Sequence, residues 1–225
     1  MEIVVSCMDR RLNNALDSMN NGKQIFVRNA GGNVAGVEQT LRYLVDSSNI
    51  SEIKLVAHTD CGAMGYVFGA LNGKESESLH SELVKQFKGL KLASRLELEK
   101  NNELVQKSKL ESMFAGKGIG ISSMLIESKP SEPKRHIAAI TNSSSAKYAE
   151  LAKKLGVDAD DCYFMQANSI EELLPDITLA IEKLGIKEFL LVAEEQSQYR
   201  QKNAELERLK ARGLASKASF SLVKL

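Results

Sequence analysis

Short apolar runs alternate with longer amphipathic stretches from the start of the chain, and this alternation constrains the fold more than any other feature. Ile3 to Cys7, Gln24 to Asn29 and Ile53 to His58 read as strands, with helices at Arg11 to Met19 and Val37 to Ser47 between them. A further helix begins near Gly62, and a strongly charged helical stretch or hairpin runs from about Ser81 to Met113, its Glu and Lys facing solvent. Gly116 to Gly120 breaks it, and Ile119 to Ile126 reads as another strand. Strands alternating with helices predict an α/β fold, a mainly parallel sheet flanked by helices.

Two of these runs end in residues that carry chemistry. The first continues as Cys7-Met8-Asp9-Arg10-Arg11, and the third as His58-Thr59-Asp60-Cys61-Gly62. Two thiols and an imidazole suit zinc, with a fourth position left for chemistry. A lone Cys joined to a His-x-x-Cys differs from the paired Cys-x-x-Cys of structural zinc knuckles. If the first strand continues past Cys7, its two-residue period aims Asp9 and Arg11 the same way as Cys7.

The order Cys7-x-Asp9-x-Arg11, then Arg28-Asn29-Ala30-Gly31-Gly32, then His58-x-x-Cys61-Gly62 resembles the β-class carbonic anhydrases. The resemblance is strong over residues 1 to about 65 and weak from there to about 128. It implies zinc on Cys7, His58 and Cys61, and reversible hydration of carbon dioxide to bicarbonate by zinc-bound hydroxide. It implies two states for Asp9: a fourth ligand that closes the site, or a partner of Arg11 that accepts a proton from zinc-bound water. Gly62 would relieve a tight strand-to-helix turn, and its N–H would favour an anion such as bicarbonate. The same scaffold hydrolyses carbon disulfide or carbonyl sulfide in some relatives. A non-catalytic zinc-binding regulatory protein is the reading from another class, against which intact Asp9 and Arg11 argue. The glycines of 31–36 have the wrong spacing for a dinucleotide loop and are expected to let that loop approach the metal pocket.

Beyond Ser128-Lys129-Pro130-Ser131-Glu132-Pro133, the pattern repeats. Ile137 to Thr141 lines up with Ile3 to Cys7, Phe164 to Asn168 with Phe26 to Ala30, and Ile186 to Ala193 with Ile53 to Ala57. The expected organisation is a zinc-binding lobe at 1–128, a linker at 129–135 and a degenerate second lobe at 136–225, a fused pseudo-dimer of two packed lobes. Thr141, Ser143, Glu194 and Ser197 would then replace Cys7, Asp9, His58 and Cys61, leaving the second lobe without metal.

A formal net charge of +1 gives no electrostatic footprint for nucleic acid or acidic membrane. Runs such as Phe189 to Ala193 are too short to span a bilayer, and the first residues carry no basic leader-like region. The fold is expected to open on its first strand, without the N-terminal helical arm that the resemblance to many family members would lead one to look for. Three widely spaced cysteines suit a reducing cytoplasm. The expected partners are carbon dioxide and bicarbonate, with no nucleic acid and no membrane, and further copies of the fused chain in a homo-oligomer. His80 and His136 lie outside any ligand spacing and are expected at the surface, where His80 could shuttle a proton. Cys162 is expected in the core.

Overall fold

The computed structural model describes residues 1–142, 144 and 146–225. Its strands are β1 (Glu2–Cys7), β2 (Gln24–Asn29), β3 (Glu52–His58), β4 (Gly120–Ile126), β5 (Ile137–Thr141), β6 (Cys162–Gln166), β7 (Glu188–Ala193) and β8 (Ser219–Lys224). The α-helices are α1 (Asn13–Met19), α2 (Glu38–Ser47), α3 (Gly62–Leu71), α4 (Ser81–Lys85), α5 (Arg95–Met113), α6 (Tyr148–Leu155), α7 (Ile170–Lys183) and α8 (Gln196–Ala211). The charged stretch is thus a short helix and a long one. Ser94 caps α5 by accepting from the Glu97 N–H, while the Glu97 carboxylate reaches back to the Ala93 N–H, a reciprocal arrangement that satisfies two backbone donors.

All eight strands form one sheet in the order β4-β3-β1-β2-β6-β5-β7-β8. The two halves expected as packed lobes therefore share one sheet. Within each half the strands are parallel, and β2 meets β6 antiparallel at Arg28 and Gln166. The Phe26 N–H, bonded to the Ser144 carbonyl at 3.0 Å, extends that junction. Because β2 is interior rather than an edge, all six of its residues are buried, including Gln24, Arg28 and Asn29. Central strands covered on both faces are read as near-continuous apolar runs, which is why β1, β5 and β7 were legible.

The second half pairs its strands in the same pattern as the first. Glu2 lies against Gln24 and Glu52, as Ile137 lies against Cys162 and Glu188. Followed along these ladders, Asn142 stands where Cys7 does, one residue on from the expected Thr141. The aligned apolar runs are offset by one residue because β1 enters its ladder at Glu2, before its apolar run begins. Ser144 correspondingly stands at the place of Asp9, and the expected Ser143 lies outside the described residues. The β3–β7 correspondence puts Glu194 at the place of His58 and Ser197 at that of Cys61, as expected.

Candidate metal centre

Strand β1 ends at Cys7, and the chain turns at once into a 3-10 turn, Arg10–Leu12. The expected continuation of the strand does not occur, so a two-residue period is not what gathers Asp9 and Arg11. Asp9 caps the 3-10 turn instead, its Oδ1 accepting from the Arg11 N–H at 3.0 Å. The Arg11 guanidinium then grips the same carboxylate with both arms, Nε to Oδ1 at 3.0 Å and Nη2 to Oδ2 at 2.7 Å. A bidentate, charge-assisted pair of this kind has a fixed orientation. Arg11 also donates to the Asp60 carboxylate and to the Asp60 carbonyl, both at 2.7 Å, which ties the end of β1 to the turn after β3.

That turn carries the other two ligand-type residues. His58 is the last residue of β3 and Cys61 the residue before α3. The left-handed residue in the turn is Asp60, at φ +54°, and not Gly62 as expected. An Asp tolerates that conformation better than most residues, and here Arg11 and Arg95 hold its carboxylate. Gly62 instead packs closely against the second half: a Cβ there would lie 2.8 Å from Leu184 Cδ2, the movable end of that side chain.

Cys7, His58 and Cys61 are buried, and their ligand atoms lie within 4.8 Å of one another. The two sulfurs are 3.9 Å apart. Two sulfurs at about 2.3 Å from one tetrahedral zinc would be separated by about 3.8 Å. The His58 ring supplies a second test of fit. Its Nδ1 meets Ser128 Oγ at 3.1 Å, while Nε2 is buried with no hydrogen-bond partner among the described residues. An imidazole held at one nitrogen and unpaired at the other is the arrangement a metal ligand requires. The donor set and geometry fit zinc.

The electrostatics agree. The hydrogen bond with Cys61 holds the Cys7 thiol well below its ordinary value, against burial and with help from His58, while that bond and burial push Cys61 up. The pair therefore gives up its first proton readily. Burial pushes the Asp9 carboxyl up, but the bonds from Arg11 and the charges of His58 and Arg11 outweigh it and hold Asp9 below its usual value. Asp9 Oδ2 remains 4.0 Å from His58 Nε2, paired with Arg11 beside the three ligand-type atoms.

Residues that sequence reasoning did not single out complete the site. The Gly31 N–H, at φ +69°, points at Cys7 Sγ from 3.3 Å, so the glycine loop does approach the pocket. Helix α5 is not simply a solvated face. It buries Glu99, Asn102 and Gln106, which bind the Cys61 N–H, the Gly31 carbonyl and the Val34 N–H. Their helical spacing is visible in the sequence, but nothing marks these polar residues as inward. Ser128, read as the edge of a linker, holds His58. Arg10 donates to the carbonyls of Asp160 and Ser131, strapping residues 130–133 over the cavity. That cavity, of about 320 Å³, runs from Cys7 and Asp9 to a wall containing Pro130, Tyr163 and Leu184. His136 is exposed at its rim, as expected of a surface residue. His80 is not: it is buried against Asp176, because α7 of the second half packs over it. Cys162 lies in the core.

These features define an α/β protein with a thiolate–imidazole metal centre at the carboxyl ends of parallel strands. A family model described as carbonic anhydrase matches residues 2–119, just over half of the chain, and the chain belongs to that family, the β-class expected from its motifs. It is an enzyme of the lyase type, and zinc is the family's metal. Among solved structures, it is similar to the β-carbonic anhydrase CcaA at 18% identity, covering 56% of this chain and 68% of that one, with a TM-score of 0.41. It is also similar to a carbonic anhydrase from Glaciozyma antarctica at 23% identity, covering 56% and 75%, with a TM-score of 0.35. No curated protein matches the chain. Among the described residues, no helix is long and apolar enough to cross a membrane.

Proposed function

We propose that this chain catalyses reversible hydration of carbon dioxide to bicarbonate at a single zinc held by Cys7 Sγ, His58 Nε2 and Cys61 Sγ. The observation that carries the reading is the Asp9–Arg11 pair, which leaves three ligand atoms around a fourth, open position. A zinc held by these three residues would supply a nucleophile at neutral pH by lowering the pKa of a bound water towards about 7. Arg11 fixes Asp9 so that its carboxylate accepts a hydrogen bond or proton at that position. Ser128 holds the His58 ring at Nδ1 and Glu99 holds the Cys61 backbone N–H. Tyr163 and Leu184 narrow the cavity around a small apolar substrate, and the Gly62 N–H at the start of α3 favours the departing bicarbonate.

The second half is a diverged copy that walls the pocket and binds no zinc. Its repeated strand pairing supports the duplication, and Asn142, Ser144, Glu194 and Ser197 make a poor zinc set. Fused pseudo-dimers of this kind would work in the cytoplasm, with homo-oligomers a further level of assembly. The test is stopped-flow hydration of carbon dioxide by zinc-loaded protein, run beside carbonyl sulfide and carbon disulfide hydrolysis. Hydration well above buffer is expected. Turnover of the sulfur compounds alone would overturn the assignment.

A further inference from the structure

Helix α5 presents a polar stripe to the metal centre. Arg95, Glu99, Asn102 and Gln106 follow at steps of four, three and four, a spacing that keeps them on one helical face. Glu99, Asn102 and Gln106 are buried, and a buried carboxylate or amide is costly unless its hydrogen bonds are made. Here they are made: none of the three has a side-chain nitrogen or oxygen that is both fully buried and unpartnered. The Ser94 cap and the returning Glu97 carboxylate fix the start of the helix, and with it the placing of the stripe.

The stripe reaches both segments that bear on the thiols. On one side, Glu99 Oε1 accepts from the Cys61 N–H at 2.8 Å. The same oxygen accepts from Arg95 Nε at 3.0 Å, which gives the buried carboxylate a cation. Arg95 Nη2 also pairs with Asp60 Oδ1 at 3.1 Å, steadying the residue before Cys61. On the other side, Asn102 Nδ2 donates to the Gly31 carbonyl at 2.8 Å, and the Gly31 N–H donates to Cys7 Sγ at 3.3 Å. Gln106 Nε2 donates to Asn102 Oδ1 at 3.1 Å, while its Oε1 accepts from the Val34 N–H at 3.0 Å. Residues 99 and 102 lie within one helical turn, so a single rigid element meets both thiol contacts.

We propose that Glu99 and Asn102 are positioning residues that set the spacing of the two ligand sulfurs. Helix α5 is the fixed bar: Glu99 ties the Cys61 backbone to it, and Asn102 ties the turn whose N–H meets Cys7 Sγ. Arg95 and Gln106 hold these two side chains in place. The inference rests on the zinc reading above. Outer partners of this kind orient a metal ligand, and their loss typically costs about 10–100-fold in metal affinity. Releasing either one lets a sulfur leave the separation that a tetrahedral metal needs.

Glu99→Leu, Asn102→Leu, Glu99→Gln and Leu98→Ala test this, with zinc affinity measured by competition with a chromophoric chelator and the thiolate-to-metal charge-transfer band read after cobalt substitution. Glu99→Leu and Asn102→Leu should each weaken zinc binding about 10–100-fold and move the cobalt band. Glu99→Gln, whose amide oxygen still accepts from the Cys61 N–H, should stay near the parent in both. Leu98→Ala removes buried apolar packing from the same helix and no hydrogen bond to either thiol segment. It should lower stability to urea and leave both readouts at the parent value. Where Glu99→Leu does not fold, Asn102→Leu decides alone. If affinity and band are unchanged in the folded Leu variants, or if Leu98→Ala shifts them as far, the stripe is structural and the inference falls. A parent protein that binds no zinc would overturn the zinc reading instead, before any variant is compared.

Discussion

Arg28 and Gln166 stand opposite each other at the antiparallel junction of the two half-sheets. They occupy the same position in the repeated pattern, and each bonds the first residue of the helix after the leading strand of its half. Arg28 Nη1 donates to Asn13 Oδ1, and Tyr148 Oη donates to Gln166 Oε1, each at 2.6 Å. Arg28 further donates to the carbonyls of Cys7 and Asp9 and lies over the Tyr148 ring. A buried guanidinium therefore joins the seam between halves to the strand end that carries the metal site.

Arg28→Met should destabilise the protein by about 3–5 kcal/mol, because it strands three buried acceptors together. Urea denaturation of parent and variant measures this. A loss under about 1 kcal/mol would mean the seam is held elsewhere.

Gly62 and Leu184 should behave as a coupled pair. Gly62→Ala makes the end of the Leu184 side chain shift and should cost no more than about 1 kcal/mol. Leu184→Ala should relieve most of that cost in the double variant. Strict additivity in a double-mutant cycle would show that the second half does not press on the pocket at Gly62.

Much of this was legible in the sequence, and the limits have physical causes. The ligands were readable because Cys and His at strand ends with fixed spacing are rare by chance. The alternation of strands and helices gave the parallel sheet. What was not legible depended on contacts between halves. Arg28 and Gln166 carry no sign that their strands meet. His80 looked like a surface residue because α7, which covers it, lies about a hundred positions away in sequence. Glu99, Asn102 and Gln106 sit in a charged helix where inward polar residues look like outward ones. Asp60 took the left-handed conformation beside a glycine that composition alone would favour for it.

Zinc should bind at about one ion per chain, and Cys61→Ala should lose most of it. Elemental analysis approaching two ions per chain would contradict a metal-free second half. Chelation should leave the thiols unequal. Cys7, held low by its bond to Cys61, should alkylate first, while Cys162, pushed up to about 12 chiefly by burial, should stay protected until the protein unfolds. Mass spectrometry of alkylated peptides, with and without added zinc, reads the order.

The central claim is that Asp9 stays paired with Arg11 and serves the open fourth position rather than holding the metal. Carbon dioxide hydration by Asp9→Asn, with zinc content measured on the same sample, tests it most directly. The expected result is a full zinc complement with turnover reduced about a hundredfold to ten-thousandfold. Turnover at the parent rate with zinc retained would contradict the account, leaving Asp9 as no more than a cap on the turn after β1.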